Sequence, residues 1–195
     1  MIARWLFLFG FAAALLISLG CGGSSSDNGS TEPALACTDG GPAAADAVTM
    51  TCGGATDSTT EQVDVVMGGP AAGTTALRGL NFDVTYDSTK LTFVSATNYT
   101  GGPFPAAALV VATALPNDPT PHVIVSIQQV GTDPDVVIGP GQHVMLHLSF
   151  TRTPAATFAP TPLEFDLATS EVTPPTPPTV PAVVTFGSAL ALSYQ

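Results

Sequence analysis

The stretch "GLNFDVTYDSTKLTFVSA", residues 79–96, alternates apolar and polar positions, breaks at an acidic turn, and alternates again. Leu80, Phe82, Val84 and Tyr86 share one parity; Asn81, Asp83 and Thr85 share the other. A period of two sends these sets to opposite faces of a strand, one buried and one wet. In "YDSTKL" the Asp87 carboxylate is placed to accept N–H bonds from the residues after it. Residues 88–90 therefore wind briefly before Leu91, Phe93 and Val94 resume the apolar supply. "HVMLHLSFTR" repeats the theme, with Val144, Leu146, Leu148 and Phe150 on one side and His143, Met145, His147 and Ser149 on the other.

Period-two segments of this kind occupy 47–52, 62–67, 78–86, 90–97, 107–113, 122–129, 143–152, 162–172 and 182–193. Gly, Pro, Asp and Asn clusters separate them, and no helical period emerges. Nine short strands joined by turns predict an all-β fold: a nine-stranded jelly-roll sandwich over residues 46–195. The 18 prolines and 19 glycines argue the same way, because both penalise helix interiors.

The N-terminus is different. "MIARWLFLFGFAAALLISLGC" carries one arginine, an apolar run from Trp5 to Leu19, and then Gly20-Cys21. The run is about 15 residues, short of the roughly 20 that span a bilayer, so residues 1–20 read as a signal peptide. "Ser18-Leu19-Gly20-Cys21" resembles the bacterial lipobox, with Ser18 where that pattern usually has leucine. The resemblance implies cleavage before Cys21, acylation of its thiol and of the new amine, and a lipoprotein held at the cell envelope. Several acyl chains anchor stably, since each buried methylene adds about 0.8 kcal/mol. Gly22, in place of the aspartate associated with inner-membrane retention, implies the outer membrane. Residues 21–45, including "GGSSSDNGSTEPA", read as a polar tether that cannot bury a core. The remaining cysteines, Cys37 and Cys52, are an even pair in an exported chain and are expected to form a disulfide.

Charge and chemistry narrow the function. Only 10% of residues are charged and the net charge is −11, which repels phosphate backbones and excludes nucleic acid as a partner. Among the histidines, His122, His143 and His147, the last two lie four apart on a strand. At roughly 3.3 Å per residue that is about 13 Å, too far to share a metal. No GxSxG element is present. A glycosidase needs two carboxylates across a cleft, whereas Asp133 and Asp135 sit in one loop, "GTDPDVVIGPG". Its oxygens suit calcium in kind, but without EF-hand spacing it reads as an ordinary turn. No catalytic set, metal or cofactor is expected. Stacking on sugar needs exposed aromatic rings. The single tryptophan, Trp5, leaves with the signal peptide, so Tyr99 and Phe104 in "NYTGGPFP" are the candidates for carbohydrate contact. "TPPTPPTVP", residues 173–181, reads as a stiff, polyproline-like loop before the last strand.

One element is more specific. "ALRGLNFDVTYDSTKLTFVSA" resembles the third and fourth strands of cohesin modules: an aromatic-rich strand ending Tyr-Asp, a short turn, and a leucine opening the next strand. "HVIVSIQQVG", "GPGQHVMLHLSFT" and "VVTFGSALALS" fall where that family has its sixth, seventh and ninth strands. The resemblance covers roughly residues 46–194. It implies a nine-stranded jelly roll that binds dockerins, small calcium-loaded helical modules carried by polysaccharide-degrading enzymes. In cellulosomal cohesins, polar residues on the exposed face of the third strand help hold the dockerin. The family's asparagine and aspartate fall here on Gly79 and Asn81, so that code is not reproduced. The face of Gly79, Asn81, Asp83 and Thr85 is the expected partner-binding surface, for a dockerin-like or another envelope protein. Carbohydrate binding by the same fold, and a purely structural envelope role, are the alternatives.

Overall fold

The computed structural model describes residues 34–154, 159–176, 183–187 and 189–194. The segment expected to be a signal peptide, Cys21, most of the expected tether and residues 177–182 of the proline segment lie outside the described residues. Within them, every regular element is a strand. These are β1 (Leu35–Thr38), β2 (Ala47–Ala55), β3 (Thr60–Gly68), β4 (Thr75–Leu77), β5 (Gly79–Thr85), β6 (Leu91–Asn98) and β7 (Leu109–Leu115). They continue with β8 (His122–Gln128), β9 (Val136–Ile138), β10 (Gln142–Arg152), β11 (Thr161–Phe165), β12 (Glu171–Thr173), β13 (Thr185–Phe186) and β14 (Leu190–Tyr194). No helix among the described residues is long and apolar enough to cross a membrane.

Two sheets form the layers. The first runs β1-β14-β11-β5-β8-β7, with β12 also paired to β5; the second runs β13-β2-β3-β10-β6. Neighbours pair antiparallel except β13 and β2, which are parallel. Alternation decides what lies between the layers. Leu80, Phe82 and Val84 of β5, Val63, Val65 and Met67 of β3, and Val123, Val125 and Ile127 of β8 are at most 1% exposed and belong to one core cluster. Rings join the layers at two places. Phe82 and Phe165 of the first sheet meet edge to face at 5.4 Å, and Phe186 of the second stands 5.3 Å from Phe165. Elsewhere Tyr86 meets Phe150, and Phe93 meets Phe150, each at 5.6 Å. Edge-to-face pairs add roughly 0.5–1.5 kcal/mol beyond the area they bury.

The turn after β5 forms as its sequence suggests. Asp87 Oδ1 accepts from the Thr89 N–H at 3.0 Å, the Leu91 N–H donates to the Asp87 carbonyl, and Lys90 Nζ stands 2.9 Å from Asp87 Oδ2. The Thr89 hydroxyl, and then Lys90, hold the Asp87 carboxyl below its usual range.

Several expectations are corrected. A register shift between Val144 and Leu146 is a bulge in β10, so Met145 is fully buried beside Leu146 instead of facing solvent. Val94 is 54% exposed, because β6 shifts register against β10 between Ser149 and Phe150. The segment 162–172 is two strands, β11 and β12, split by the Asp166 turn, in which Ala168 N–H and Ser170 N–H bond to Asp166. The strands β4 and β9 have no signature in the sequence, since three residues carry no period. The first sheet begins inside the stretch read as tether: β1 pairs Leu35–Thr38 with Tyr194–Ala191. Four residues of "LACT" show no alternation to read, and a partner far along the chain holds them.

The disulfide Cys37–Cys52 joins β1 of the first sheet to β2 of the second across a separation of 15 residues. Closing such a loop stabilises by roughly 3 kcal/mol in the chain-entropy model. Cys52→Ala is therefore expected to lower the unfolding free energy by about that amount, read as a lower urea midpoint with a steeper slope, because the unlinked denatured chain is more expanded.

A second expectation concerns Glu61, 3% exposed on β3 opposite Phe150. Burial pushes its carboxyl above its ordinary value of 4.5, opposed in part by the Gly54 N–H. An acid raised in the folded state stabilises fully below its unfolded pKa, and that contribution is lost as pH rises through the folded one. Glu61→Gln removes the titration. Its stability relative to the native chain is expected to climb from about pH 4 toward neutrality, measured by denaturation across pH.

Candidate functional site

The outer face of the first sheet is where the residues of one parity converge. Antiparallel registers set them in cross-strand rows. Thr173, Gly79, Gln128 and Leu109 make one row; Glu171, Asn81, Ser126 and Val111 make the next. Asp83, Ile124 and Thr113 follow, and then Glu164, Thr85, His122 and Leu115.

Asn81 is the hub. Its Oδ1 accepts from Ser126 Oγ at 2.6 Å and Gln128 Nε2 at 3.2 Å. Its Nδ2 donates to Thr173 Oγ1 at 3.3 Å and reaches Glu171 Oε1 at 3.5 Å. Four side chains from two strands, Ser126 and Gln128 of β8 and Glu171 and Thr173 of β12, are thus held in place by one amide of β5, a preorganised polar patch. Thr85 adds a bond to the Glu164 carbonyl at 3.3 Å. Gly79 differs from its expected role: it is buried, and a Cβ there would stand 2.6 Å from the Ile127 carbonyl and 2.8 Å from Gln128 Cγ. The Gln128 side chain covers it, so Gly79 admits its neighbours and offers no group of its own.

Beside the hub lies an apolar strip missed by the sequence reading. Leu109, Val111 and Ile124 are 54, 48 and 43% exposed, three large apolar side chains on adjacent strands of one face. Isolated apolar surface residues are ordinary; a contiguous group bordered by polar ones marks an interaction surface. Ile124 shares the parity of His122, Ser126 and Gln128, which is the signal that could have found it. In "LVVATAL" only Thr113 interrupts the apolar run, so the outward parity is not visible as alternation. The strands of this face carry Asp83, Glu164 and Glu171 and no lysine or arginine.

One end of the face is shaped by Arg78. Its guanidinium donates to the Gly131 carbonyl at 3.0 Å, the Asp133 carbonyl at 3.3 Å and Asp135 Oδ1 at 3.1 Å. The oxygens considered for calcium in this loop thus converge on a built-in cation. Asp135 also accepts from the Thr176 N–H at 3.1 Å.

The other candidates lie elsewhere. On the outer face of the second sheet, His147 Nδ1 stands 2.7 Å from Asp64 Oδ1, which also accepts from Gln62 Nε2 at 3.1 Å. Tyr99, partly buried, packs edge to face on His147 at 5.0 Å. His143 Nε2 bonds the Gly139 carbonyl. Among the described residues no three of His, Cys, Asp and Glu gather to hold a metal. Phe104 is corrected: it is 2% exposed and belongs to the core. Asn98 Nδ2 donates to the Pro105 carbonyl at 2.8 Å and fixes its loop, so the ring presents no face to a sugar.

No protein-family model matches the sequence, and no curated protein does. Solved structures do match. The CaCohA2 module of Clostridium acetobutylicum in its CaDoc complex aligns at a TM-score of 0.52 and 15% identity, over 73% of this chain and 94% of that one. The OlpA cohesin of Clostridium thermocellum, solved in a type I cohesin–dockerin complex, gives 0.51 and 11%, over 80 and 96%. The sixth cohesin of scaffoldin B from Acetivibrio cellulolyticus, in complex with a Cel5 dockerin mutant, gives 0.50 and 16%, over 72 and 92%. The fold is the cohesin β-sandwich. At these identities the likeness carries the fold alone, and this chain's version places the Asn81 hub and its apolar strip on one outer face.

Asn81→Asp tests the hub. It replaces a donor by a carboxylate facing Glu171, and is expected to lower stability by about 1 kcal/mol. The loss, measured by urea denaturation, should shrink at high salt, which screens like charges at a surface.

Proposed function

We propose that this chain is a non-catalytic docking module of a bacterial envelope lipoprotein, which binds a dockerin-like protein through the outer face of its first sheet. The observation that carries the reading is the pairing of a preorganised polar hub at Asn81 with the exposed strip of Leu109, Val111 and Ile124. Recognition surfaces combine such parts: apolar anchors supply desolvation energy and fixed polar groups supply register. The cohesin modules that share the fold were solved with dockerins, which supports a partner of that class. Gly79 and Asn81 depart from the cellulosomal pattern, so the partner is a divergent one. The acidic side chains Asp83, Glu164 and Glu171 favour lysine or arginine on its surface.

Anchorage is the second part of the proposal. The lipobox-like Cys21 is acylated and holds the module at the envelope, in the outer membrane given Gly22. The Cys37–Cys52 bridge belongs to the chemistry of an oxidising compartment and supports export. A link to polysaccharide breakdown follows if the docked partner carries an enzyme. Sugar binding is the weaker reading, since Phe104 is buried and Tyr99 packs on His147.

The test is titration of the immobilised module with recombinant dockerin-type modules encoded in the same genome. Ile124→Asp is expected to cost about 2 kcal/mol, roughly thirtyfold in affinity. Asp64→Ala, on the opposite face, should leave affinity unchanged. Failure to bind any such module, together with turnover of a polysaccharide, would overturn the reading.

A further inference from the structure

The four outer edges of the two sheets are not alike. β1 is four residues long and is held by the Cys37–Cys52 bridge; β13 is two residues long. β6 is longer, but its register against β10 breaks between Ser149 and Phe150. Short edges and bulges of this kind are how proteins prevent a sheet from pairing with another chain. β7 has none of these devices. It is seven residues, Leu109 to Leu115, and pairs with β8 without a shift from Leu109↔Gln128 to Leu115↔His122. Its sequence, LVVATAL, contains no charge, no proline and no glycine. Among the described residues it has β8 on one side in its sheet and no strand on the other.

We propose that β7 is a self-association edge, pairing antiparallel with β7 of a second copy about a two-fold axis at Ala112. Three observations select a second copy as the occupant. First, a two-fold axis at Ala112, the central residue of β7, lets all seven residues pair. It sets Leu109 beside Leu115 of the second copy and Val111 beside Thr113 of the second copy, so outward side chains meet outward ones. Second, the molecule carries −11 overall, yet this strand carries no charge, so two like-charged bodies can approach here without opposing carboxylates along the shared edge. Third, the exposed residues Leu109, Val111 and Ile124 adjoin this edge, and a two-fold perpendicular to the sheet sets both strips side by side on one surface. Cross-strand apolar pairs and the unpaired edge groups of β7 supply the attraction. The dimer would present two outer faces in one direction.

The test is sedimentation velocity of the full chain in a mild non-ionic detergent, across a concentration series. A reversible dimer is expected. It should tighten as salt rises from about 0.01 to 0.1 M and the screening length falls from about 30 to 10 Å, because the overall charge opposes association. Val111→Lys places a charge on each copy at diagonal positions across the axis, on an otherwise uncharged edge, and should weaken the dimer about tenfold or more. The double variant Val111→Cys with Thr113→Cys should form an inter-copy disulfide on mild oxidation. A monomer at every concentration would overturn the proposal. So would association that Val111→Lys leaves intact, that weakens with added salt, or that yields no cross-link in the double variant.

Discussion

The structure depends on one constraint: two sheets share a single apolar interior, so every strand between them must alternate. Once Leu80, Phe82 and Val84 are committed to that interior, Asn81, Asp83 and Thr85 have nowhere to go but outward. The same logic on β8 commits Val123, Val125 and Ile127 inward and leaves Ile124, Ser126 and Gln128 beside the β5 residues. The face proposed for docking is therefore a consequence of the core. Rings at Phe82, Phe165 and Phe186, and at Tyr86, Phe93 and Phe150, join the layers, and the disulfide joins β1 to β2.

What occupies the face is the ground for the proposed recognition role. A reaction needs groups that can exchange protons or electrons at one point. Here the hub is an amide, with hydroxyls and amides around it, and the histidines are tied separately to Thr120, Gly139 and Asp64. A fixed amide that holds Ser126, Gln128 and Thr173 has already lost the conformational freedom that binding would otherwise remove. Arg78 does similar work at one end, replacing solvent or a metal with its own guanidinium for the oxygens of residues 131–135.

The parts of the fold that were legible in the sequence are those where periodicity is strong and local. The alternation of 79–86 and the Asp87 turn could be read directly, because strand parity and side-chain capping depend on neighbours in the chain. What escaped depends on distant partners. β1, β4 and β9 are too short to show a period, and exist because β14 and each other supply ladder bonds. Met145 and Val94 changed sides because bulges in β10 and β6 shift parity by one. Of the candidate site, Asn81, Asp83 and Thr85 stand on the outer face that their parity predicts, while Gly79 is covered by Gln128, a neighbour visible only once β8 is paired with β5. The apolar half of the face was hidden because β7 is apolar on both parities.

Hydrogen–deuterium exchange of the module with and without a bound dockerin-type partner tests the central claim most directly. The account predicts new protection at 79–85, 109–115, 122–128 and 171–173, with the second sheet unchanged. Protection concentrated instead on β3 and β10, around Gln62, Asp64 and His147, would contradict it.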